Sequence, residues 1–396
     1  MPTANEILLD AALRHAIGVN QYAAGEAGRV KDLLEKADQE LVVQLRTSLG
    51  KVKGGRLQKR LRTKALLADM NVLRKTVMAD YRTTVRDKLY DLSAIEATRE
   101  VKLLDGAVPV EFSFAAADAG LLRATVTSDP FHGQLLKDWF SALSSVDQRR
   151  LKQAVQLGIA EGESIDAIVR RVAGTRANGY TDGVLAMTRR NAESVVRTAV
   201  LHVSNAARQQ VWTANSDVVE LIVWVSTLDG RTTPICRSRD GKVTTLDGSP
   251  VPAGYMALVP AGARPPAHYN CRSTTVGMFS SLGLLGKRPF VVDTRTPRKR
   301  TVDFRREARA QGKSIQQVRK EWSDANVGQV PSKTTYQEFL TRQSGGFQDS
   351  VLGKAKGKLF REGGLTVDHF VNDIGKELTL DQLRVIEPEA FVRAGL

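Results

Sequence analysis

Apolar side chains recur at helical spacing along most of the first hundred residues. Between residues 5 and 49 they fall three or four positions apart with charged residues between them, which predicts one long amphipathic helix. A glycine-rich stretch at 48–55 interrupts the pattern, and the same spacing returns over 61–100. These segments predict two long antiparallel helices whose apolar stripe packs against later helices or against another subunit.

Shorter helices are predicted in the middle of the chain. The apolar positions around Phe140 indicate one helix, and Ser144 or Asp147 could provide the N-cap of the next. A further helix is expected over 163–174, because a glycine stands where a C-cap would lie. The regular apolar spacing over 182–214 predicts another long helix.

The pattern changes between residues 218 and 278. Residues 220–227 form an apolar, strand-like run, and a turn-rich sequence with many prolines and glycines follows it. Both cysteines of the chain, Cys236 and Cys271, lie in this short stretch. The predicted fold class is therefore mainly α, with a long N-terminal helical hairpin, a helical bundle and a small α+β module that contains cysteine and histidine.

These patterns divide the chain into four parts. They are a long helical hairpin over 1–105, helices and then the mixed module over 106–279, a basic linker over 280–331 and a C-terminal helical extension over 332–396. No apolar run approaches the ~20 residues needed to cross a bilayer, and the first residues lack the pattern of a signal peptide. We therefore expect a soluble protein without a signal peptide.

The charge of the chain favours a polyanionic partner. Its 58 Lys and Arg against 43 Asp and Glu give a formal net charge of +15 and a pI near 9.9. Aromatic residues make up only 6% of the chain, so stacking on exposed bases is not indicated, and contact with the backbone of double-stranded DNA without sequence readout is the predicted mode. The alternatives are an acidic protein neighbour and a simply solvated surface. The candidate binding residues, from the most basic part of the chain, are Arg295, Arg298, Lys299, Arg300, Arg305, Arg306 and Arg309.

The cysteine-containing stretch offers one set of candidate metal ligands. The set is Cys236, His268, Cys271 and Asp229. The His-x-x-Cys spacing lets two side chains converge from one tight turn, and Asp240 or His202 could replace the aspartate as the fourth ligand. Two reduced, packed thiols or a disulfide are the alternatives, of which the disulfide is disfavoured in a reducing cytosol. No cofactor is expected apart from a structural zinc ion.

The sequence predicts no catalytic residues. It contains no phosphate-binding Gly-x-x-x-x-Gly-Lys-Ser/Thr loop, no Gly-x-Ser-x-Gly turn and no His-Glu-x-x-His motif. His202 lies on the apolar face of the helix over 182–214, where a histidine is more often a core residue than a base.

Short motifs around the cysteines resemble a known family. They are Thr-Leu-Asp-Gly-Arg-Thr at 227–232, Cys236, the Asp240-Gly241 pair and Pro-Pro-Ala-His-Tyr-Asn-Cys-Arg at 265–272. Their order and gaps resemble the head morphogenesis domain of tailed bacteriophages, the minor head protein family related to phage Mu protein F. The resemblance covers about residues 130–275. The family's usual ending has a further cysteine, and Ser273 stands in its place here.

The resemblance implies a minor capsid protein that acts by association. Such a protein would bind the portal protein, the inner capsid proteins or the packaged double-stranded DNA during head assembly and genome packaging or ejection, without a membrane partner. It would lie in the capsid interior or at the portal vertex of the virion, and in the host cytoplasm during assembly. The alternative class is a metal-dependent nuclease or another ejected phage enzyme.

Overall fold

The structure, a computed structural model, describes residues 3–52, 56–108, 114–279, 287–331 and 333–396. The described chain is mainly α-helical with two small sheets, which confirms the predicted fold class. The first seven residues of the expected linker, 280–286, lie outside the described residues. None of the described helices combines the length and the apolar composition that a membrane span requires.

Two long helices open the fold, as the spacing predicts. Helix α1 spans Ala4–Gly50 and helix α2 spans Arg56–Ala107. Thr3 caps α1, because its hydroxyl accepts the Glu6 N–H while the Glu6 carboxylate accepts the Thr3 N–H. The apolar stripe of α1 is buried along its whole length, from Leu8 to Leu49.

The stripe of the hairpin is covered by later helices of the same chain. These are α3 (Ala119–Thr127), α4 (Leu136–Ala160), α5 (Ile165–Ala173) and α6 (Val184–Ala214). Helix α6 packs against both α1 and α2, and its small residues Ala192, Ala199 and Ala206 are almost inaccessible to solvent. Small side chains let neighbouring helices approach closely, so α6 forms the centre of the bundle. A second subunit is not needed to bury the stripe.

Helix α4 runs without a break through Ser144 and Asp147, so the N-cap predicted there is wrong. The Asp147 carboxylate instead accepts hydrogen bonds from Arg74 Nε at 2.7 Å and from Thr188 Oγ1 at 2.6 Å. Arg74 also donates to Asp38 Oδ1 at 2.6 Å, and these four side chains are buried. An aspartate that resembles a cap in the sequence therefore serves as a buried link between three helices.

The first sheet lies in the predicted mixed module. Strand β1 (Leu221–Val225) is central, with β3 (Val243–Thr245) and β4 (Thr274–Met278) antiparallel on either side. Every residue of β1 is buried, which matches its uninterrupted apolar sequence. The Asn5 side chain of α1 closes the end of this sheet, donating to Phe279 O at 2.9 Å and accepting from Phe279 N at 3.0 Å.

The second sheet joins the mixed module to the region expected to be a linker. Strand β2 (Leu228–Asp229) pairs parallel with β5 (Lys287–Val291), and β5 pairs antiparallel with β6 (Val327–Pro331). Between β5 and β6 lie helices α8 (Pro297–Gln311) and α9 (Ile315–Asn326), packed through Phe304, Val318 and Trp322. The described part of 280–331 is thus folded, because β5 pairs with strands on both sides.

The C-terminal extension is helical, as expected, and has its own core. It contains α10 (Tyr336–Thr341), α11 (Gly345–Leu352), α12 (Lys354–Arg361), a 3-10 turn (Val367–Phe370), α13 (Leu380–Ile386) and α14 (Pro388–Arg393). Phe339, Leu359 and Leu383 are fully buried in this core, and Leu228 of β2 joins them. The division into four domains itself stays a prediction.

Replacing Arg74 by Met should destabilise the bundle by about 3–5 kcal/mol, because the buried Asp147 carboxylate would lose its counter-charge and Asp38 would keep only its pairing with Arg189. Urea unfolding followed by circular dichroism measures the change. Arg86→Met on the same helix is the control, since Arg86 pairs with Asp87 in solvent and its loss should leave the midpoint nearly unchanged. Equal midpoints for the two variants would contradict the importance of the buried network.

Candidate functional site

The two cysteines and His268 converge in the mixed module. Cys236 lies on the short helix α7 (Pro234–Arg239), which follows β2, and Cys271 lies just before β4. Their Sγ atoms are 3.7 Å apart, and His268 Nε2 is 3.2 Å from Cys236 Sγ. Both thiols are free and buried. Three of the four predicted ligands are therefore brought together.

A tight turn places His268 and Cys271 side by side. The Cys271 N–H donates to His268 O at 3.2 Å, and Asn270 between them adopts the left-handed conformation with φ of 55°. Asparagine tolerates that conformation better than most residues. The Asn270 side chain also donates to Ser194 Oγ at 3.1 Å, and its N–H donates to Thr198 Oγ1 at 3.2 Å, so the turn is anchored on α6.

The imidazole of His268 is oriented by the backbone. Its Nδ1 lies 2.9 Å from the carbonyl oxygen of Tyr269, which can only accept a hydrogen bond. The proton is therefore on Nδ1, and Nε2 points toward the sulfur atoms. This arrangement leaves Nε2 free to accept a proton from a thiol or to bind a metal ion.

The pKa values of Cys236, Cys271 and His268 are shifted in different directions. The hydrogen bond from Cys236, together with the nearby imidazole, holds the pKa of Cys271 well below its usual range. The same hydrogen bond and burial raise the pKa of Cys236. Burial disfavours the imidazolium form of His268, but the hydrogen bond and charge of Cys271 outweigh this and raise its pKa. Of the two thiols, Cys271 is therefore the one that ionises more readily.

A cavity of about 30 Å³ adjoins the sulfur and imidazole groups. Residues that line it include Thr227, Thr232, Cys236, His268, Asn270 and Ser273. Such a volume holds one or two water molecules. Ser273, where the family has a further cysteine, is buried and faces this cavity, and it donates a hydrogen bond to Ser226 Oγ at 3.2 Å.

Asp229 is not positioned as a metal ligand. Its carboxylate accepts two hydrogen bonds from Arg272, at 2.6 and 2.8 Å, and one from Arg231 N at 3.0 Å. Burial alone would raise the pKa of Asp229, but Arg272 outweighs this and lowers it. In the described part of the chain, the group of three possible ligand atoms that lie within 4.8 Å of one another consists of Cys236, His268 and Cys271. The prediction of Asp229 as fourth ligand is not supported by this geometry.

Asp240, an alternative fourth ligand, has a structural role instead. Its carboxylate accepts from Ser226 N at 2.6 Å, from both terminal nitrogens of Arg288 at 3.0 Å and from Tyr336 N at 2.7 Å. Asp240 and Arg288 are both buried. The Tyr336 hydroxyl donates to Asp229 O at 2.7 Å, so both motif aspartates of the module connect it to α10.

His202 is a core residue, as its position on an apolar helix face predicts. Its ring packs on Phe131 with centroids 5.1 Å apart, and its Nε2 lies 3.5 Å from the Asp129 carboxylate. Burial lowers the pKa of His202 to about 4 in spite of Asp129, and the positive charge of Arg264 acts in the same direction. The imidazole is therefore neutral at physiological pH.

A second histidine beside the site was not among the predicted residues. The His132 ring stacks on Tyr269 with centroids 5.2 Å apart, and burial together with the charge of His268 lowers its pKa. Its backbone is left-handed, with φ of 48°. The Asp-Pro-Phe-His-Gly turn at 129–133 was the available signal, but sequence spacing alone does not reveal that this turn meets Tyr269.

The seven candidate basic residues fall into two groups. Arg295 is engaged by Asp293 at 2.9 Å and by Asp303 at 3.0 Å, and Arg300 lies 4.7 Å from the centre of the Trp322 ring. The exposed members are Arg298, Lys299, Arg305, Arg306 and Arg309, all on α8. Arg306 also pairs with Asp303 at 3.2 Å. Arg295 is thus a structural ion-pair residue, and the exposed five remain candidates.

Comparison with known proteins supports the resemblance seen in the motifs. Residues 149–276 match the model of a family described as Phage Mu protein F like protein. The match runs from within α4 to within β4 and includes α6, both cysteines and His268. It confirms the suspected family for roughly a third of the chain; residues 130–148 lie outside it. No curated protein and no solved structure gives a significant match.

The neutral state of His202 predicts a stability that depends on pH. Because its pKa is about 4 when folded and about 6.5 when unfolded, acid favours the unfolded chain, and this contribution of about 3 kcal/mol is lost as pH falls from 6.5 to 4. His202→Gln should lack this component, while Asp129 and Arg264 remain in both proteins. Urea midpoints measured between pH 7.5 and pH 4 test this, and parallel curves for the two proteins would contradict it.

Proposed function

We propose that this protein is a minor head protein of a tailed bacteriophage and that it acts by association during head assembly, genome packaging or ejection. The match of residues 149–276 to the Phage Mu protein F like family carries this proposal. The motif residues that underlie the resemblance lie together in the module around β1 and α7. The proposed location is the capsid interior or the portal vertex of the virion.

The chemistry of the module favours association over catalysis. Its two motif aspartates, Asp229 and Asp240, are buried and engaged by Arg272 and Arg288, so neither carboxylate is available to a substrate. The cavity beside the cysteines is about 30 Å³, which is far too small for a nucleotide or a peptide. These observations support a protein whose site maintains structure and whose surfaces bind partners.

A basic face on α8 is the proposed contact with a polyanion. Arg298, Arg305 and Arg309 are exposed and lie seven and four positions apart, which places them along one side of the helix. Together with the formal net charge of +15, this face suits the phosphates of packaged double-stranded DNA. An acidic surface of the portal or of another capsid protein would present similar chemistry and is the other outcome of the test.

Changing Arg298, Arg305 and Arg309 together to Gln should flatten the salt dependence of duplex DNA binding. Each phosphate contact contributes about 0.9 to the slope of log K against log salt, so the slope should fall by up to about 2.7. Fluorescence anisotropy with a labelled duplex at several salt concentrations measures it. The triple variant Lys75→Gln, Arg82→Gln, Lys88→Gln removes the same charge from exposed positions of α2 and is the control.

An equal change of slope in both triple variants would mean that DNA binding depends only on the net charge of the protein. The α8 face would then not be the specific contact surface. An unchanged slope in the α8 variant, with impaired incorporation into particles, would identify an acidic protein as the partner. Retained slope and normal incorporation together would refute the α8 face as a binding surface.

The assembly role is tested in particles made by the strain that encodes the chain. The protein should be present in purified, DNA-filled heads at low copy number relative to the major capsid protein, as measured by quantitative mass spectrometry. Deleting its gene should reduce the yield of filled heads, and a plasmid copy should restore it. Infectious particles produced in normal number without the chain would refute the proposal.

A further inference from the structure

We propose that Cys236, His268 and Cys271 form a binding site for one zinc ion, which links α7 to the turn before β4. The fourth coordination position faces the 30 Å³ cavity and is filled by a water molecule. The site does not depend on the proposed function, because it requires neither DNA nor a capsid partner.

The separations of the three ligand atoms suit a tetrahedral ion. Zinc–sulfur bonds of about 2.3 Å at a tetrahedral angle place two sulfurs about 3.8 Å apart, and the Cys236 and Cys271 sulfurs are 3.7 Å apart. A zinc–nitrogen bond of about 2.0–2.1 Å places the nitrogen about 3.5 Å from each sulfur, and the His268 Nε2 to Cys236 Sγ distance is 3.2 Å. A small outward shift of the imidazole completes the geometry.

The orientation of His268 gives a second, independent indication. A metal-bound histidine usually donates its other ring N–H to a carbonyl or carboxylate, which fixes the tautomer and directs the remaining nitrogen at the ion. The contact between His268 Nδ1 and Tyr269 O, at 2.9 Å, has this form.

The module supplies positive charge beside the two sulfurs. Zinc is bound by thiolate and neutral imidazole, so binding releases protons from the site. Arg239 and Arg272 are cations close enough to both sulfurs to stabilise thiolates. Two thiolates and one divalent ion have no net charge, which makes the assembled centre compatible with burial. A soft, sulfur-rich set of this kind selects zinc over magnesium or calcium.

The ion would act as a cross-link within the module. Cys236 and Cys271 are 35 positions apart, and the segment between them contains β3 and then a long loop rich in proline and glycine. Leu258 of this loop is buried in the same hydrophobic cluster as the two cysteines, and the ion would add a second fixed point. The cavity is small, so the open position serves a bound water and not a substrate.

Metal content of the full-length protein tests the site directly. Protein purified under reducing conditions and incubated with zinc chloride, then freed of unbound ion, should retain about one zinc per chain. Cobalt chloride should give thiolate-to-cobalt charge-transfer absorption of a tetrahedral site. Cys236→Ser, Cys271→Ser and His268→Asn should each lose the bound ion, whereas His132→Asn, which alters a neighbouring ring that supplies no ligand, should retain it.

The wild-type chain provides a measurement that does not depend on the folding of variants. Titrating the zinc-loaded protein with an organomercurial in the presence of a zinc-sensitive dye should release one zinc as two thiols react. Less than about half an equivalent of zinc in the wild type, or a mass two hydrogens short that shows a disulfide in freshly purified protein, would overturn the proposal.

The position of the fourth ligand has its own test. Ser273 faces the cavity, so Ser273→Cys should add a third thiolate and allow the protein to retain zinc at chelator concentrations that strip the wild type. Ser273→Ala should lose zinc at the same chelator concentration as the wild type. Equal zinc retention by the cysteine variant and the wild type would show that the open position does not face this cavity.

Discussion

A buried carboxylate must be matched by donors, and Asp240 satisfies this requirement with donors from three separate parts of the chain. The Ser226 N–H lies at the end of β1, Arg288 lies on β5 and the Tyr336 N–H opens α10. Removing Arg288 would leave this charge uncompensated away from water, which costs several kcal/mol, and losing either N–H would leave part of the buried carboxylate without a donor. Asp240 therefore connects three parts of the fold and fixes their relative positions. They are the mixed module, the second sheet and the C-terminal helices. Cys236 lies on α7, whose C-cap is Asp240, so the contacts of Asp240 also help to fix the position of this thiol.

The cysteine site also depends on the helical bundle. Cys236 and Cys271 share a hydrophobic cluster with Ala199 of α6 and with residues of α1 and α2. The turn that carries His268 is hydrogen-bonded to α6 through Asn270. The segment that matches the phage family contains α6 and the module but not the hairpin that covers them. Helices outside the matched segment thus complete its core.

Features with a local cause could be predicted from the sequence, and features set by distant partners could not. Helices α1, α2 and α6 follow from apolar spacing, and the His-x-x-Cys turn brings two ligand types together within four residues. The role of Asp229 depends on Arg272, 43 positions away, and no local pattern distinguishes that partner from a metal ion. Strand β5 is short and lies among basic residues, so the sequence does not predict its pairing with β2 and β6.

The hydrogen bonds between Asn5 and Phe279 can form only late in the synthesis of the chain. These residues are 274 positions apart, so the end of α1 nearest the N-terminus cannot close onto β4 until most of the polypeptide has been synthesised. At about 5–20 residues per second, this interval lasts on the order of tens of seconds. During that time the apolar stripe of α1 near Leu8 and Leu9 lacks the sheet that covers it in the finished protein. Until then the C-terminal half of α2, which joins the same cluster through Ala97 and Leu104, is the part of the structure that can cover these leucines.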